Sequence, residues 1–181
     1  MRGAVDGVPL WSARREDADL VRVVGLWKYH GVRGLAWPLA RLLGPALRQA
    51  AADEPAAVLA PAPLHRRRRR ERGFDQCRQL ATLAGAVAGV EVADILVRRR
   101  ATAQQAALAA TGAGRRRNVA GAFGARPPRP GESPAVIILD DLATTGATLA
   151  AATAAAREAG WRVTALVSVG QAGRLTGSSR G

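Results

Sequence analysis

The stretch Val136–Thr148, VIILDDLATTGAT, decides how the rest of the chain is read. Val136, Ile137, Ile138 and Leu139 are four consecutive aliphatics, the pattern of a strand buried on both faces, so a strand is expected over Ala135–Leu139. Asp140 and Asp141 follow at its carboxyl end. Two adjacent carboxylates are costly to keep ionised unless cations or hydrogen-bond donors meet them. The hydroxyls of a ribose are such donors. Ala143, Thr144, Thr145, Gly146, Ala147 and Thr148 then open a helix expected from Gly146 to Ala159, with Gly160 closing it. Gly146 permits a positive φ or a close backbone approach. The free N–H groups of a helix start favour an anion by about 0.3–2 kcal/mol. Thr144, Thr145 and Thr148 add hydroxyls. An acid pair for a sugar and an amide cradle for its phosphate are spaced for one ligand, a ribose 5-phosphate. The plainer reading is that Asp140 and Asp141 end a strand and a threonine caps a helix. A P-loop is excluded, because no GxxxxGK[ST] occurs.

Outward from this segment, strands and helices alternate. Residues 1–16 read as polar and irregular. Asp17 to Tyr29 places Leu20, Val23, Val24 and Trp27 at helical spacing, with Asp17 or Asp19 as cap. A second amphipathic helix is expected from Leu35 to Ala52, with Pro38 in its first turn and a kink or break at Pro45. Ala56–Ala60 reads as a buried strand feeding the rigid Pro61-Ala62-Pro63. The basic run Arg66–Arg70 comes next, then a helix over Phe74–Val87 and a strand over Glu91–Val97. Arg98–Ala120 is a polar excursion rich in Gln, Gly and Arg. A short strand is expected over Ala122–Ala125 and a final strand over Trp161–Val169. Such alternation implies a parallel sheet with helices on both faces, which binds ligands at the carboxyl ends of its strands.

The chain has 181 residues, 48% of them hydrophobic and 23% charged, which fits one ordinary globular unit. Aromatics are only 4%, so the core must be built from Ala, Val, Leu and Ile. The single cysteine, Cys77, excludes an internal disulfide and a cysteine-rich zinc site, and reads as a small buried apolar residue. No apolar run is long enough for a membrane span, and no signal peptide is read at the start, so a cytoplasmic location is expected. The net charge of +13 points to a polyanionic partner. That charge is discounted, because Lys28 is the only lysine and the Arg, Ala and Gly usage resembles a GC-rich coding bias. His30 and His65 read as surface residues.

VIILDDLATTGAT closely resembles the motif of type I phosphoribosyltransferases that binds 5-phosphoribosyl 1-diphosphate (PRPP). Ala143 stands where a larger aliphatic is common. PAPLHRRRRRERGFDQ (Pro61–Gln76), RRRATAQQAAL (Arg98–Leu108), RRRNVAGAF (Arg115–Phe123) and WKYHG (Trp27–Gly31) are similar to segments of the ComF/GntX branch of that family. The chain lacks the four-cysteine zinc finger with which many members of that branch begin, and Asp75 stands where Asn is usual. The resemblance implies a type I phosphoribosyltransferase-like parallel sheet over residues 53–170. An N-terminal helical hood would span residues 1–52, and a disordered tail residues 171–181. It implies that Asp140 and Asp141 hold the ribose, and that Ala143, Thr144, Thr145, Gly146, Ala147 and Thr148 hold the 5-phosphate. Ala62, Pro63, Leu64, His65, Arg66 and Arg72 become candidates for the pyrophosphate. Arg100, Gln105 and Arg117 become catalytic candidates on a flexible loop that closes over the leaving group. A magnesium ion would enter with PRPP, with Asp140 or Asp141 as its protein contacts if there are any. The implied reaction transfers a phosphoribosyl group to an unidentified nitrogen acceptor. The alternative is an accessory DNA-uptake protein that keeps the pocket and binds single-stranded DNA. The oligomeric state is left open, a homodimer included.

Overall fold

In the computed structural model the chain is a mixed α/β protein; residues 1–64, 69–71, 73–99 and 121–173 are described. Its strands are β1 (Arg2–Val5), β2 (Val8–Arg15), β3 (Val58–Pro61), β4 (Leu96–Arg98), β5 (Phe123–Ala125), β6 (Ala135–Ala143) and β7 (Arg162–Gln171). Its α-helices are α1 (Ala18–Tyr29), α2 (Ala36–Ala51), α3 (Gln76–Ala88) and α4 (Ala147–Glu158). Five strands form one sheet in the order β1-β2-β7-β6-β3. It is parallel except where β1 pairs antiparallel with β2. β4 and β5 form a separate antiparallel ribbon.

The expected two-sided burial of β6 is present. Ile137 and Leu139 join the core beneath α1, α2 and α3, while Val136 and Ile138 join the core beneath α4 and the ribbon. All four are fully buried. At about 25 cal/mol per Å2 of apolar surface, each such side chain contributes about 1.5–3 kcal/mol. This central strand is therefore the element least able to tolerate a polar substitution.

Four expectations are corrected. Residues 1–16 are not irregular: they form the β1–β2 hairpin, and β2 runs parallel to β7 with Leu10 opposite Leu166 and Ser12 opposite Ser168. Asp6 and Gly7 turn the hairpin with φ of 47° and 77°. Asp-Gly is the favoured pair for a turn with two positive φ values, because its twist matches that of the strands. Of the kink or break expected at Pro45, the break does not occur: α2 continues to Ala51. The missing N–H and the ring clash cost about 3 kcal/mol. Burial of Leu39, Leu43 and Leu47 on one face offsets that loss. The strand expected over Glu91–Val97 reduces to Leu96–Arg98 in the ribbon, preceded by a single bridge from Val92 to Leu59. Finally, β6 does not end at Leu139. It stays paired with β7 through Ala143, so Asp140 and Asp141 lie within the strand.

Helix starts follow their sequence signals. Asp17 caps α1 by accepting from the Leu20 amide at 2.8 Å, and Asp75 caps α3 by accepting from the Arg78 amide at 3.2 Å. A neutral polar network ties β2 to β7. The Ser12 hydroxyl lies 2.8 Å from that of Ser168 and donates to Gln171 Oε1 at 2.9 Å. Gln171 Nε2 in turn donates to the Gly173 carbonyl at 2.9 Å. No described helix is long and apolar enough to cross a membrane.

Candidate functional site

The carboxyl end of β3 lies beside β6, with Pro61 opposite Leu139, the residue before the acid pair. The Ala62 amide donates to the Leu139 carbonyl at 2.8 Å, which carries the chain from β3 past the acid pair. Asp75 does double duty there, since its other carboxylate oxygen accepts from the Leu64 amide at 3.2 Å.

Asp141 is 5% exposed, and Asp140 is half-buried. Asp141 Oδ1 accepts from Lys28 Nζ at 2.6 Å and from the Leu142 amide at 2.7 Å. Asp140 Oδ1 accepts from the Asp141 amide at 2.9 Å. Cys77 Sγ lies 3.8 Å from Asp140 Oδ1 and 3.8 Å from Asp141 Oδ2. Lys28 is placed by α1, whose neighbouring Trp27 is fully buried and donates from its indole to Gln79 Oε1 on α3 at 3.2 Å.

The electrostatics follow from this crowding. Burial, then the adjacent Asp141 charge, push the Asp140 carboxyl up to about 7, against the pull of Lys28 and Arg98. Burial opposes the charged form of Lys28. The Asp141 carboxylate, its hydrogen bond and the Asp140 charge outweigh that burial and hold the ammonium above its ordinary range. Burial and the two aspartates push the Cys77 thiol well up, so it is protonated at neutral pH and unfit as a nucleophile.

Beyond the pair, the turn to α4 has the expected form. Gly146 takes φ 71°, and a Cβ placed there would come 2.9 Å from Val5 Cγ2. Glycine is required at that point on both grounds. Thr145 Oγ1 accepts from the Ala147 amide at 3.4 Å, and Thr144 is exposed. Thr148 and Leu149 follow in the first turn of α4, where a helix leaves its amides without intrahelical partners.

A cleft of about 670 Å3 opens beside the end of β3. Pro61, Pro63 and Leu64 line one side, and Leu96, Val97 and Arg98 of the ribbon line another. Arg69, Arg78 and Arg99 also reach it; Arg78 is paired with Asp94. The structure places Asp140, Asp141 and Ala143 on β6, residues 144–148 on the turn and helix that follow, and Ala62 beside Leu139. The candidates His65, Arg66, Arg72, Arg100, Gln105 and Arg117 lie outside the described residues, as does most of the 171–181 tail.

The chain matches no protein-family model and no curated protein.

Lys28 and Cys77 are the participants that sequence reasoning did not place. A signal for Lys28 was present: it is the only lysine among 27 Lys and Arg residues, in a composition that otherwise uses arginine throughout. Cys77, Asp140 and Asp141 bring their ligand atoms within 4.8 Å of one another. This set fits a resident magnesium ion poorly. Magnesium demands oxygen ligands in a near-octahedral shell. The thiol is too soft, and Lys28 already holds Asp141 Oδ1.

Proposed function

We propose that this chain binds PRPP and passes its phosphoribosyl group to a nitrogen nucleophile. The observation that carries this reading is one run of backbone. An acid pair stands within the last four residues of a central parallel strand, followed within six residues by a left-handed glycine and a helix start. Ligands of parallel sheets bind at that edge.

In this reading the fold is of the type I phosphoribosyltransferase kind, with the N-terminal helices as its hood. The 5-phosphate rests on the amides of residues 144–148, and the ribose hydroxyls meet the acid pair at its more open member, Asp140. The diphosphate lies toward Ala62–Leu64 and the arginine-lined cleft. The acceptor nitrogen forms a bond to the anomeric carbon as the bond from that carbon to the pyrophosphate oxygen breaks. The electron pair leaves with pyrophosphate, and the nitrogen's proton passes to solvent. Positive charge along the cleft stabilises the departing group where charge develops. Magnesium arrives as part of the PRPP complex and neutralises diphosphate charge.

The test is thermal unfolding with PRPP and magnesium, then pyrophosphate release across a panel of bases and amines. At a ligand concentration about 100-fold above Kd, stability should rise by about 2.7 kcal/mol. Asp140→Asn should lose that gain. A wild-type protein that gains nothing from PRPP would sink the reading.

One observation favours the second reading, an accessory DNA-uptake protein. Arg69, Arg98 and Arg99 border the cleft of a chain whose net charge is +13. Single-stranded DNA binding that falls steeply with salt, without any response to PRPP, would select it.

A further inference from the structure

The acid pair is not two equivalent carboxylates. Asp141 is 5% exposed, its Oδ1 filled by the Lys28 ammonium at 2.6 Å and the Leu142 amide at 2.7 Å. Cys77 Sγ closes on its other oxygen. Asp140 is half-buried and is the member of the pair that solvent reaches more readily. The Lys28 side chain is itself 16% exposed, so the ion pair is an interior one rather than a surface contact.

We propose that Lys28 is a positioning residue: its ammonium takes Asp141 out of ligand binding as an internal salt bridge and leaves Asp140 as the carboxylate that meets the ribose. This rests on the PRPP-binding reading and divides the acid pair into a structural and a binding member. Three observations carry it. Lysine stands here in a chain that uses arginine for every other strong base. A compact ammonium fits a slot already shared with a backbone amide, where a planar guanidinium would need a broader acceptor. Trp27, the residue before Lys28, is fully buried and hydrogen-bonded to α3, so the lysine is delivered by a rigid helix. One further consequence follows for the site. The seating of α1 and the charge balance at the ribose end of the pocket become one event, because the ammonium that cancels Asp141 comes from the N-terminal helix.

The experiment compares PRPP–magnesium binding by calorimetry in wild type, Asp141→Asn and the double variant Lys28→Met with Asp141→Asn. In Asp141→Asn the lysine loses its partner and turns to Asp140, so affinity should fall about tenfold. In the double variant both charges are gone, Asp140 is free again, and affinity should return to within about threefold of wild type. Such rescue supports the proposal, and a purely structural lysine would not produce it. If Asp141 instead contacts the ribose, the double variant binds as weakly as Asp141→Asn, and the proposal is overturned while the functional reading stands. If wild type binds no PRPP, the functional reading itself falls and takes the proposal with it. The double variant replaces a charged pair by neutral groups of similar size, so it folds even if Lys28→Met alone does not.

Discussion

Two polar clusters are buried near the carboxyl ends of the sheet strands, and they differ in kind. The cluster of Ser12, Ser168 and Gln171 is neutral, and all three residues are fully buried. Each donor meets an acceptor, from Ser12 to Gln171 and from Gln171 to the Gly173 carbonyl. Nothing in it is held far from its ordinary chemistry. The cluster of Lys28, Asp140, Asp141 and Cys77 carries charge, and burial and mutual charge raise the Lys28 ammonium, the Cys77 thiol and the Asp140 carboxyl above their ordinary ranges, the last to about 7. A self-satisfied neutral network fixes the register of two strands. A charged cluster with one member at the rim keeps unspent chemistry, as binding sites do.

The comparison can be broken first at Lys28. Lys28→Met leaves the Asp141 carboxylate buried without its cation and should destabilise the fold by about 3–5 kcal/mol, measured by urea unfolding. Adding Asp141→Asn should restore most of that loss. If the single variant is as stable as wild type, the two clusters are energetically alike.

Asp140→Asn sharpens the contrast through pH. The folded pKa is raised, so the folded state holds a proton that the unfolded chain releases near 4. That contribution is complete below pH 4 and is lost as pH rises through about 7. Wild type should therefore lose stability between pH 4 and 7, and Asp140→Asn should lack that slope. At pH 8 the variant should be more stable than wild type by about 1–3 kcal/mol. Glu132 works in the opposite sense and outside this window. The hydrogen bond from Arg126 holds its pKa down to about 2, so its effect is confined to acid below pH 4.5.

Ser12→Ala is the smallest perturbation. It deprives Gln171 Oε1 of a donor and should cost about 1–2 kcal/mol in the same unfolding assay. That cost should be the same at pH 5 and pH 8, because no member of the network titrates there. A pH-dependent cost would show that the two clusters are coupled.

Much of the core was legible locally. The aliphatic run Val136–Leu139 gave a two-sided strand, and Asp17, one of two cap candidates, marks a helix start that the structure bears out, whereas the cap at Asp75 went unread inside a helix expected from Phe74. The Asp6-Gly7 turn went unread, because arginines and glycines dilute the alternation around it and residues 1–16 read as irregular. The hairpin declares itself only when Val8 and Leu10 are seen buried beside β7. Pro45 shows the opposite case, since the break it could cause does not occur. A local rule was correct about cost and blind to the burial that overrides it.

The sequence by itself determined the order of strands and helices around Val136–Thr148, the need for glycine at 146, and the adjacency of Asp140 and Asp141. Those features depend on residues a few positions apart, whose spacing matches the period of a strand or the start of a helix. Only the tertiary structure decided which aspartate is held by a cation, because Lys28 and Asp141 stand 113 positions apart. Their meeting depends on how α1 packs against the sheet, a packing that no local pattern encodes.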